Sequence, residues 1–519
     1  GFRYLQIIGL DEAPKPEDFT ALRLRSDMDL AGTFKTSNSL LNDIHVICRD
    51  AIQSQLYNSI TDCPHREKLG WLDVPNEMFN SLVYNYDMEN FFKKVVLDCF
   101  DAQYSNGRVP STVPHFMSVY DDDPNWGGAA ILVPYRSWKT YGDVTTMTKF
   151  YPQMKKLMDY YTSKTVNHIM PGSNYSVLSD WGQETAGVNP MVPGEFTITT
   201  TYYYMLNAMA EIASFLGKDV DAKGFLTQAQ NTKKAFNERF YKDGVYGYGQ
   251  QSEFAMPLYY GLVDQENEEL VAAKLAERVK KDNYKIKTGE IGLKPLFMSL
   301  AKYGYNDIVY QMANQTDCPS YGYWVKQGYT TTPEYWDVGA FSQNHCMMDH
   351  IEEWFFSQLG GIRNDGNGFD IVRIEPWIPE DMNHLDVTTR SIYGNIRCHY
   401  ERGVDNEMNY TFEIPANSQA NIVLPCLNHQ SVFENGKDVK NGEKGVVSVE
   451  YKDGKAYLKM GSGNYTLQIK KKEATGIQEG NISRARLNDV YYDLEGRNHG
   501  KVRPSQKGIF IWNQKKVVL

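Results

Sequence analysis

Between about residues 35 and 362 the sequence repeats one pattern, an amphipathic helical stretch followed by a short loop that contains Gly or Pro. In the first stretch, apolar side chains recur at the spacing of one helix face, at Leu40, Leu41, Ile44, Ile47 and Cys48. Roughly ten such stretches follow one another, and no exact repeat of about 34 or 40 residues is visible, which disfavours a solenoid of identical units. The pattern therefore predicts a closed ring of inner and outer helices.

The pattern changes on both sides of this helical region. From 363 to 472, alternating segments such as M-N-Y-T-F-E-I-P are separated by turns such as E-N-G-K, which predicts a β-sandwich. A Lys-rich linker and a small β segment are expected at 473–519. Residues 1–34 alternate in polarity and show no signal-peptide cleavage site, so we expect them to be the end of an upstream β-sandwich domain. The helical domain is then expected to occupy 35–362.

Composition and charge exclude several classes of function. The net charge of −10 opposes binding to nucleic acid, which requires a basic face. No run approaches the roughly 18 uncharged apolar residues of a membrane helix. The seven cysteines are scattered without a C-x-x-C pair, and the ten histidines include no H-E-x-x-H motif, so we expect neither a metal site nor a cofactor. The composition predicts no oligomeric state.

The stretch T-D-C-P-H-R-E-K-L-G-W-L-D joins two helical stretches and contains Asp62, Glu67 and Asp73. Two carboxyls held close together repel, so one tends to stay protonated near neutral pH. A protonated and an ionised carboxyl provide the acid and the base that glycoside hydrolysis requires. Arg66 would orient a carboxylate or a sugar hydroxyl, and Trp71 would stack on a sugar face. A structural cluster of capping groups and salt bridges is the alternative, and spacing alone leaves both open.

A second stretch, Y-T-T-T-P-E-Y-W-D, has the same character, with Glu334 and Asp337 on either side of Trp336. Its run of threonines suits a loop better than a helix interior, so we expect it at one mouth of the helical ring. His345 in the neighbouring F-S-Q-N-H-C is a candidate ligand for hydroxyl groups. A capped helix start with surface acids, and a histidine hydrogen-bonded for structure alone, are the alternatives.

Two further loops pair aspartate with tryptophan, D-D-D-P-N-W-G-G with Trp126 and L-S-D-W-G with Asp180 and Trp181. Such pairs suit sugars, because a carboxylate binds hydroxyl groups and an indole covers the apolar face of the ring. Three adjacent aspartates also suggest calcium, but the EF-hand pattern is absent. Each pair alone is weak evidence. Their joint presence on loops of one helical domain favours a carbohydrate site.

The segment D-C-P-H-R-E-K-L-G-W closely resembles the motif of the bacterial α-L-rhamnosidases, glycoside hydrolase family 78. Other segments resemble that family in the same order, namely N-G-R-V-P-S-T-V-P, W-G-G-A-A-I-L-V-P-Y, L-S-D-W-G, T-G-E-I-G-L and T-T-T-P-E-Y-W. The resemblance covers residues 1 to about 470. It implies a mostly helical chain with an (α/α)6 barrel, which follows the end of an N-terminal β domain and precedes a C-terminal β-sandwich.

The resemblance also implies an inverting glycoside hydrolase, in which Glu67 is the general acid and Glu334 the base. The expected substrate is a terminal α-L-rhamnose on plant-type glycosides or polysaccharide side chains. Nine further residues are expected to bind it: Asp62, Arg66, Trp71, Asp73, Trp126, Asp180, Trp181, Trp336 and His345.

Two departures from the family pattern bear on the sugar or linkage rather than on the reaction class. Asp73 follows G-W-L directly, whereas the family often has an aspartate two residues beyond G-W-T, and Pro333 replaces the usual aromatic residue before the base. The alternatives are a related (α/α)6 glycosidase with another sugar preference and a catalytically silent carbohydrate-binding protein. The presence of both Glu67 and Glu334 disfavours a catalytically silent protein, because carbohydrate binding alone needs no such pair of carboxyls.

The C-terminal end, K-G-I-F-I-W-N-Q-K-K-V-V-L, resembles the sorting tail of proteins that the type IX system of some Gram-negative bacteria exports. One more small β-module is the alternative. The expected location is the periplasm, the cell surface or the extracellular space.

Overall fold

The computed structural model describes most of the chain as two compact units, residues 1–470 and 471–519. The described residues are 4–116, 120–172, 177–182, 192–337, 339, 341–404, 407–471, 491–494, 497–500, 504–505, 507–512 and 515–518. The predicted fold, a helical domain followed by β-structure, is confirmed in the first unit. The described helices include none that could span a lipid bilayer.

The helical domain contains fifteen described α-helices, some of only one turn. They are α1 Ser39–Gln55, α2 Asp73–Glu77, α3 Phe79–Asn85, α4 Glu89–Asp101, α5 Pro124–Gly127, α6 Ala129–Tyr141, α7 Thr145–Lys164, α8 Gly194–Phe215, α9 Asp219–Phe240, α10 Gln251–Tyr260, α11 Glu268–Lys281, α12 Glu290–Lys302, α13 Asn306–Ala313, α14 Tyr321–Lys326 and α15 Ile351–Trp354. Helix α8 packs along α9, α10 against α12, and α4 against α6.

Helix α1 illustrates how the sequence forms these helices. Asn38 caps it, because the Asn38 side chain accepts hydrogen bonds from the backbone N–H groups of Leu40 and Leu41 at 3.1 and 3.3 Å. The predicted apolar face is buried at Leu41, Ile44 and Cys48. Each fully buried apolar side chain contributes about 1.5–3 kcal/mol, so packing rather than intrinsic helix propensity holds the helix.

The last helical segment of the domain, residues 346–359, is broken into three pieces. A 3-10 turn at Cys346–Met348 precedes α15, and a π-helical turn at Phe355–Leu359 follows it. Polar side chains are buried in this segment, and the carboxylate of Glu352 binds His45 Nδ1 and Asn85 Nδ2, both at 2.9 Å. These buried polar contacts compete with a continuous helix, which the apolar pattern alone does not reveal.

Two sheets form the predicted C-terminal β-sandwich. The strands of the first unit are β1 Thr33–Thr36, β2 Tyr241–Lys242, β3 Val245–Tyr246, β4 Ile362–Asn364, β5 Ile371–Ile374, β6 His384–Ser391, β7 Gly394–Arg402, β8 Met408–Ile414, β9 Gln419–Pro425, β10 Gln430–Glu434, β11 Lys437–Asp438, β12 Val446–Lys452, β13 Lys455–Met460 and β14 Gly463–Lys471. One sheet has the order β1-β6-β7-β8-β14-β10-β11 and the other β12-β13-β9-β5-β4, while β2 and β3 form a separate hairpin. Buried side chains alternate along β6 and β8, as expected for strands with one face on a core.

Strand β1 shifts the expected boundary between domains. It pairs antiparallel with β6, with Phe34 opposite Val387, so it belongs to the C-terminal sheet. The strand expected in the opening stretch is not found among described residues 4–32, where Tyr4 is 91% and Ile8 85% exposed. Although this segment alternates in polarity, it pairs with no strand among the described residues.

The second unit contains a three-stranded antiparallel sheet in the order β15-β16-β17. Its strands are β15 Tyr491–Asp493, β16 Ile509–Trp512 and β17 Lys515–Val518. Most of the predicted linker, from 472 onward, lies outside the described residues.

Candidate active site

A cavity of about 270 Å³ in the helical domain brings most of the predicted site residues together. Nine of the eleven predicted residues line it, and they come from stretches far apart in the sequence: Asp62, Arg66, Glu67, Trp71, Asp73, Trp126, Trp181, Glu334 and His345. Five residues that the sequence reasoning did not single out complete the lining: Tyr120, Leu178, Glu290, Phe341 and Met347. Carboxyl groups, a guanidinium and indoles around one cavity of this size suit a single sugar ring.

A larger cavity, of about 730 Å³, lies elsewhere, where Met298 and Trp377 approach the β-sandwich at Arg363. Its carboxylate, Glu375, accepts hydrogen bonds from Arg363 at 2.8 Å and from Lys455 at 3.1 Å. Glu375 is the one carboxyl residue of the described lining, and two cations already bind it. Five carboxyl residues and three tryptophans line the smaller cavity, which is therefore the candidate active site.

The loop that carries Glu67 is closed by its own hydrogen bonds. The Asp62 carboxylate accepts the Leu69 N–H at 2.9 Å, and the Asp62 N–H donates to the Leu69 carbonyl at 3.0 Å. Gly70 lies so close to Val113 that an added Cβ would stand 2.1 Å from the Val113 carbonyl oxygen. The glycine thus lets the loop pair with the segment around Val113 of the same chain, and this pairing sets the position of Trp71.

Glu67 lies at the exposed edge of the cavity and is oriented by an indole. The Trp71 Nε1–H donates to Glu67 Oε2 at 2.8 Å. The glutamate and the tryptophan are four residues apart, so one closed loop supplies both the carboxyl and the group that fixes its direction.

Glu334 is buried at 5% exposure on the other side of the cavity. Its Oε2 accepts the Ser342 N–H at 3.1 Å and lies 3.6 Å from Arg66 Nη1 and 3.9 Å from His345 Nδ1. Burial raises the pKa of the Glu334 carboxyl, and the negative charge of Glu67 raises it further, whereas the Ser342 amide and the Arg66 cation oppose the increase. Glu334 is therefore a carboxylate with increased basicity that still has donors to hold it.

Asp62 and His345 are buried groups whose protonation is shifted by their surroundings. Burial raises the pKa of Asp62 to about 7, although the Cys63 thiol, which donates to Asp62 Oδ2 at 2.7 Å, opposes this. Burial, with the positive charge of Arg66, lowers the pKa of His345 to about 3, so its imidazole is neutral at physiological pH. A neutral imidazole has one donor and one acceptor nitrogen, which suits a sugar hydroxyl.

Asp62, Cys63 and His345 are also the group of described residues whose donor atoms are spaced to hold a metal ion. One atom of each lies within 4.8 Å of the other two. Zinc accepts a carboxylate, a thiolate and an imidazole. Burial raises the pKa of the Cys63 thiol, so a metal would have to displace its proton.

The two other predicted residues, Asp180 and Trp336, do not line the cavity. The Asp180 carboxylate accepts the Gly292 N–H at 2.8 Å and the Ser252 hydroxyl at 2.5 Å. It therefore caps helix α12 from behind the cavity wall. The Trp336 indole is fully buried and stacks on Trp324, with ring centroids 4.4 Å apart.

The run of three aspartates is also structural. Asp123 caps α5 through the Asn125 N–H at 2.9 Å and accepts the Leu178 N–H at 3.0 Å. Asp121 accepts the Ser111 N–H at 3.1 Å. These bonds hold the short helix that carries Trp126, so this run positions an indole of the site.

Comparisons with known proteins agree with this architecture. Residues 29–359 match the model of the bacterial α-L-rhamnosidase six-hairpin glycosidase domain, and residues 361–438 match that of the bacterial α-L-rhamnosidase C-terminal domain. The chain belongs to the bacterial α-L-rhamnosidase family. The six hairpins of this family's catalytic domain confirm the (α/α)6 expectation.

Individual relatives show the same extent of similarity. An α-L-rhamnosidase of Formosa agariphila is 28% identical over 507 residues, which cover 91% of this chain and 52% of the relative. One of Alteromonas sp. (strain LOR) is 26% identical and covers 83% of this chain and 49% of the relative. The chain thus spans about half the length of the curated relatives it matches.

Solved structures agree in fold. The structure of an α-L-rhamnosidase from Dictyoglumus thermophilum superposes with a TM-score of 0.83 at 27% identity, covering 89% of this chain and 53% of that one. The Streptomyces avermitilis α-L-rhamnosidase complexed with L-rhamnose gives 0.79 at 23% identity, covering 86% of this chain and 43% of that one. At that lower identity the second likeness establishes the fold alone.

Proposed function

We propose that this chain carries the catalytic domain of an inverting glycoside hydrolase that releases terminal α-L-rhamnose. The observation that carries the proposal is that Glu67 and Glu334, from two distant acid- and tryptophan-bearing loops, line one cavity of sugar size. Membership of the α-L-rhamnosidase family supports rhamnose as the sugar.

In the proposed reaction Glu67 is the general acid and Glu334 the general base. Glu67, at the open edge of the cavity, protonates the departing glycosidic oxygen, and Trp71 holds its carboxyl in place. Glu334 removes a proton from the water that attacks the anomeric carbon on the opposite face. Burial favours the base role, because a raised pKa makes the Glu334 carboxylate a better proton acceptor, while the positive charge of Arg66 favours its ionised form.

The remaining lining residues would hold the sugar. Asp62 and His345 offer hydrogen-bonding groups for hydroxyls, and Trp126 and Trp181 offer flat apolar surfaces for the ring and its methyl group. The proposed chemistry is complete with two carboxyls and a water, so it requires no cofactor.

The substrate class and the location are parts of the same proposal. A terminal rhamnose on plant-type glycosides or polysaccharide side chains fits a cavity that takes one ring. The C-terminal resemblance to a type IX sorting tail supports action in the periplasm, at the cell surface or outside the cell of a Gram-negative bacterium.

A panel of p-nitrophenyl glycosides tests the proposal. The chain should hydrolyse the α-L-rhamnoside at least a hundredfold faster than α-L-fucoside, α-D-mannoside or β-D-glucoside. Glu334→Gln should remove this activity, because water then lacks its base, whereas Glu266→Gln, at an exposed position outside the lining, should retain it. Preference for another sugar would indicate a related glycosidase, and rhamnose binding without turnover would indicate a silent binding protein.

A further inference from the structure

Two carboxyl groups meet in the wall of the candidate active site, and only one of them was expected there. Asp73 and Glu290 both line the cavity although they are only 3% and 1% exposed. Their side chains are hydrogen-bonded to each other, and burial together with this contact raises the pKa of Glu290 well above its usual range. Two carboxylates cannot both stay charged at such a contact, so one proton lies between them.

The proton belongs to Glu290. Asp73 is the first residue of α2, and its carboxylate also accepts hydrogen bonds from backbone N–H groups at that helix start and from the Trp126 indole, all of which favour its charged form. Glu290 instead faces the negative charges of Asp73, Asp180 and Glu77, which favour its neutral form. A neutral carboxyl that donates to Asp73 still has a second oxygen, which can accept a hydrogen bond.

The backbone of Glu290 also fixes the residue in this position. The Glu290 N–H donates to the Trp181 carbonyl at 2.8 Å. At Gly289 an added Cβ would stand 2.1 Å from that carbonyl oxygen, so only glycine permits the approach. The Asp180 carboxylate accepts the N–H of Gly292, in the first turn of the same helix, at 2.8 Å. Asp180 therefore serves as the cap of α12. The Glu290 side chain is not required for capping and lines the cavity instead.

We propose that Glu290 is a substrate-positioning residue, which donates a hydrogen bond from its protonated carboxyl to Asp73 and presents its other carboxyl oxygen to one hydroxyl group of the bound sugar. This inference rests on the proposed function, because it takes L-rhamnose as the ligand. This role explains why an acid is buried in the wall of a polar cavity. The second carboxyl oxygen of Glu290 gains a hydrogen-bond partner when a sugar enters.

A simpler explanation is that Glu290 stabilises α12 as an acid in the first turn of a helix. That role predicts a loss of stability on substitution without selective loss of sugar affinity. The two explanations therefore differ in binding, and a ligand series can separate them.

The experiment measures L-rhamnose binding by isothermal titration calorimetry to the wild type, Glu290→Gln and Glu290→Leu. The glutamine variant keeps a donor for Asp73 and an acceptor for the sugar, so its Kd should stay within about threefold of wild type. The leucine variant has neither, and its Kd should rise about tenfold to a hundredfold, as for a buried hydrogen bond lost with its partner left unpaired. Glu290→Asp, which is one methylene shorter, should resemble the leucine variant and serves if leucine prevents folding.

Monodeoxy sugars identify the contact. Among the 2-, 3- and 4-deoxy derivatives of L-rhamnose, one should bind the wild type as weakly as L-rhamnose binds Glu290→Leu. That one should be insensitive to the substitution, because the hydrogen bond is already absent. In steady-state assays Glu290→Leu should raise KM for the rhamnoside more than it lowers kcat.

The outcomes separate this inference from the proposed function. If the wild type neither binds L-rhamnose nor hydrolyses a rhamnoside, both proposals fail. If the wild type does so and Glu290→Leu or Glu290→Asp binds L-rhamnose equally well, the positioning role alone is wrong. The positioning role would also be wrong if Glu290→Leu weakened the binding of all three deoxy sugars equally. It would likewise be wrong if Glu290→Gln bound L-rhamnose as weakly as Glu290→Leu does.

Discussion

Removal of the Arg66 charge should shift the pH range over which the proposed base works. Arg66 Nη1 lies 3.6 Å from Glu334 Oε2, and its positive charge lowers the pKa of Glu334 against the opposing effect of burial. In Arg66→Met this support is lost, so the Glu334 pKa rises. Activity requires the ionised base and is lost as pH falls through that pKa, so the loss should begin at a higher pH.

The size of the shift follows from Coulomb's law. At the 3.6 Å separation of Arg66 and Glu334, two unit charges interact by about 4.6 kcal/mol at a dielectric constant of about 20 and about 1.2 kcal/mol at about 80. The Arg66 side chain is 40% exposed, so water screens the pair and the lower figure is nearer. About 1.2 kcal/mol corresponds to roughly one pH unit.

The assay is the pH dependence of kcat/KM for an aryl α-L-rhamnoside. The acid limb should move up by roughly one unit in Arg66→Met and by less in Arg66→Lys, which keeps the charge. Arg49→Met is the matched control, because Arg49 is 38% exposed, pairs with Asp50 at 3.4 Å and lies outside the cavity lining. An acid limb that stays in place or moves down in Arg66→Met would refute the assignment of Glu334 as the base that Arg66 stabilises.

Three further predictions concern the acid, the core and the tail. Glu67→Gln should reduce hydrolysis of natural rhamnosides by orders of magnitude but reduce that of aryl rhamnosides with acidic phenols much less, since a good leaving group needs little protonation; equal loss for both, seen in kcat/KM, would argue against the acid role. Trp336→Ala should lower the free energy of unfolding by about 3–5 kcal/mol in urea titrations, because a buried stacked indole is lost, and an unchanged transition midpoint would contradict its core position. A chain ending at Lys472 should keep the kcat of the full chain, and a large loss with circular dichroism intact would show that the tail contributes to the site.

Much of the fold follows from local pattern, since helix and strand periods depend on residues close in sequence. The pairing of β1 does not follow from local pattern. Its partner β6 lies about 350 residues later, and nothing in the sequence Thr33–Thr36 identifies that partner. Alternation in the opening stretch also predicted a strand that the described residues lack, because a strand needs a partner as well as a pattern.

Within the site, the sequence located residues whose neighbours are local. Glu67 and Trp71 are four residues apart, and the hydrogen bond that joins them lies inside one loop. Trp336 does not line the cavity, because adjacency in sequence does not determine which side an acid and an indole each face. Its indole turns to Trp324 while Glu334 turns to the cavity.

Glu290 was missed for the opposite reason. No tryptophan adjoins it in the sequence, and an acid at the start of a helix is common. The signal in its segment is the pair of glycines: Gly289 marks a close approach to the backbone of the Asp180–Trp181 loop, and Gly292 a close approach to the Ser252 side chain. That approach becomes visible only when both segments are placed in three dimensions.

The anomeric form of the first product tests the central claim most directly. Hydrolysis of p-nitrophenyl α-L-rhamnoside by the wild-type chain should be followed by proton NMR within minutes, before the released sugar mutarotates. An inverting enzyme with Glu67 as acid and Glu334 as base should release β-L-rhamnose first, and the α anomer should appear only later. Initial release of α-L-rhamnose would contradict inversion, and release of no rhamnose at all would contradict the proposed activity itself.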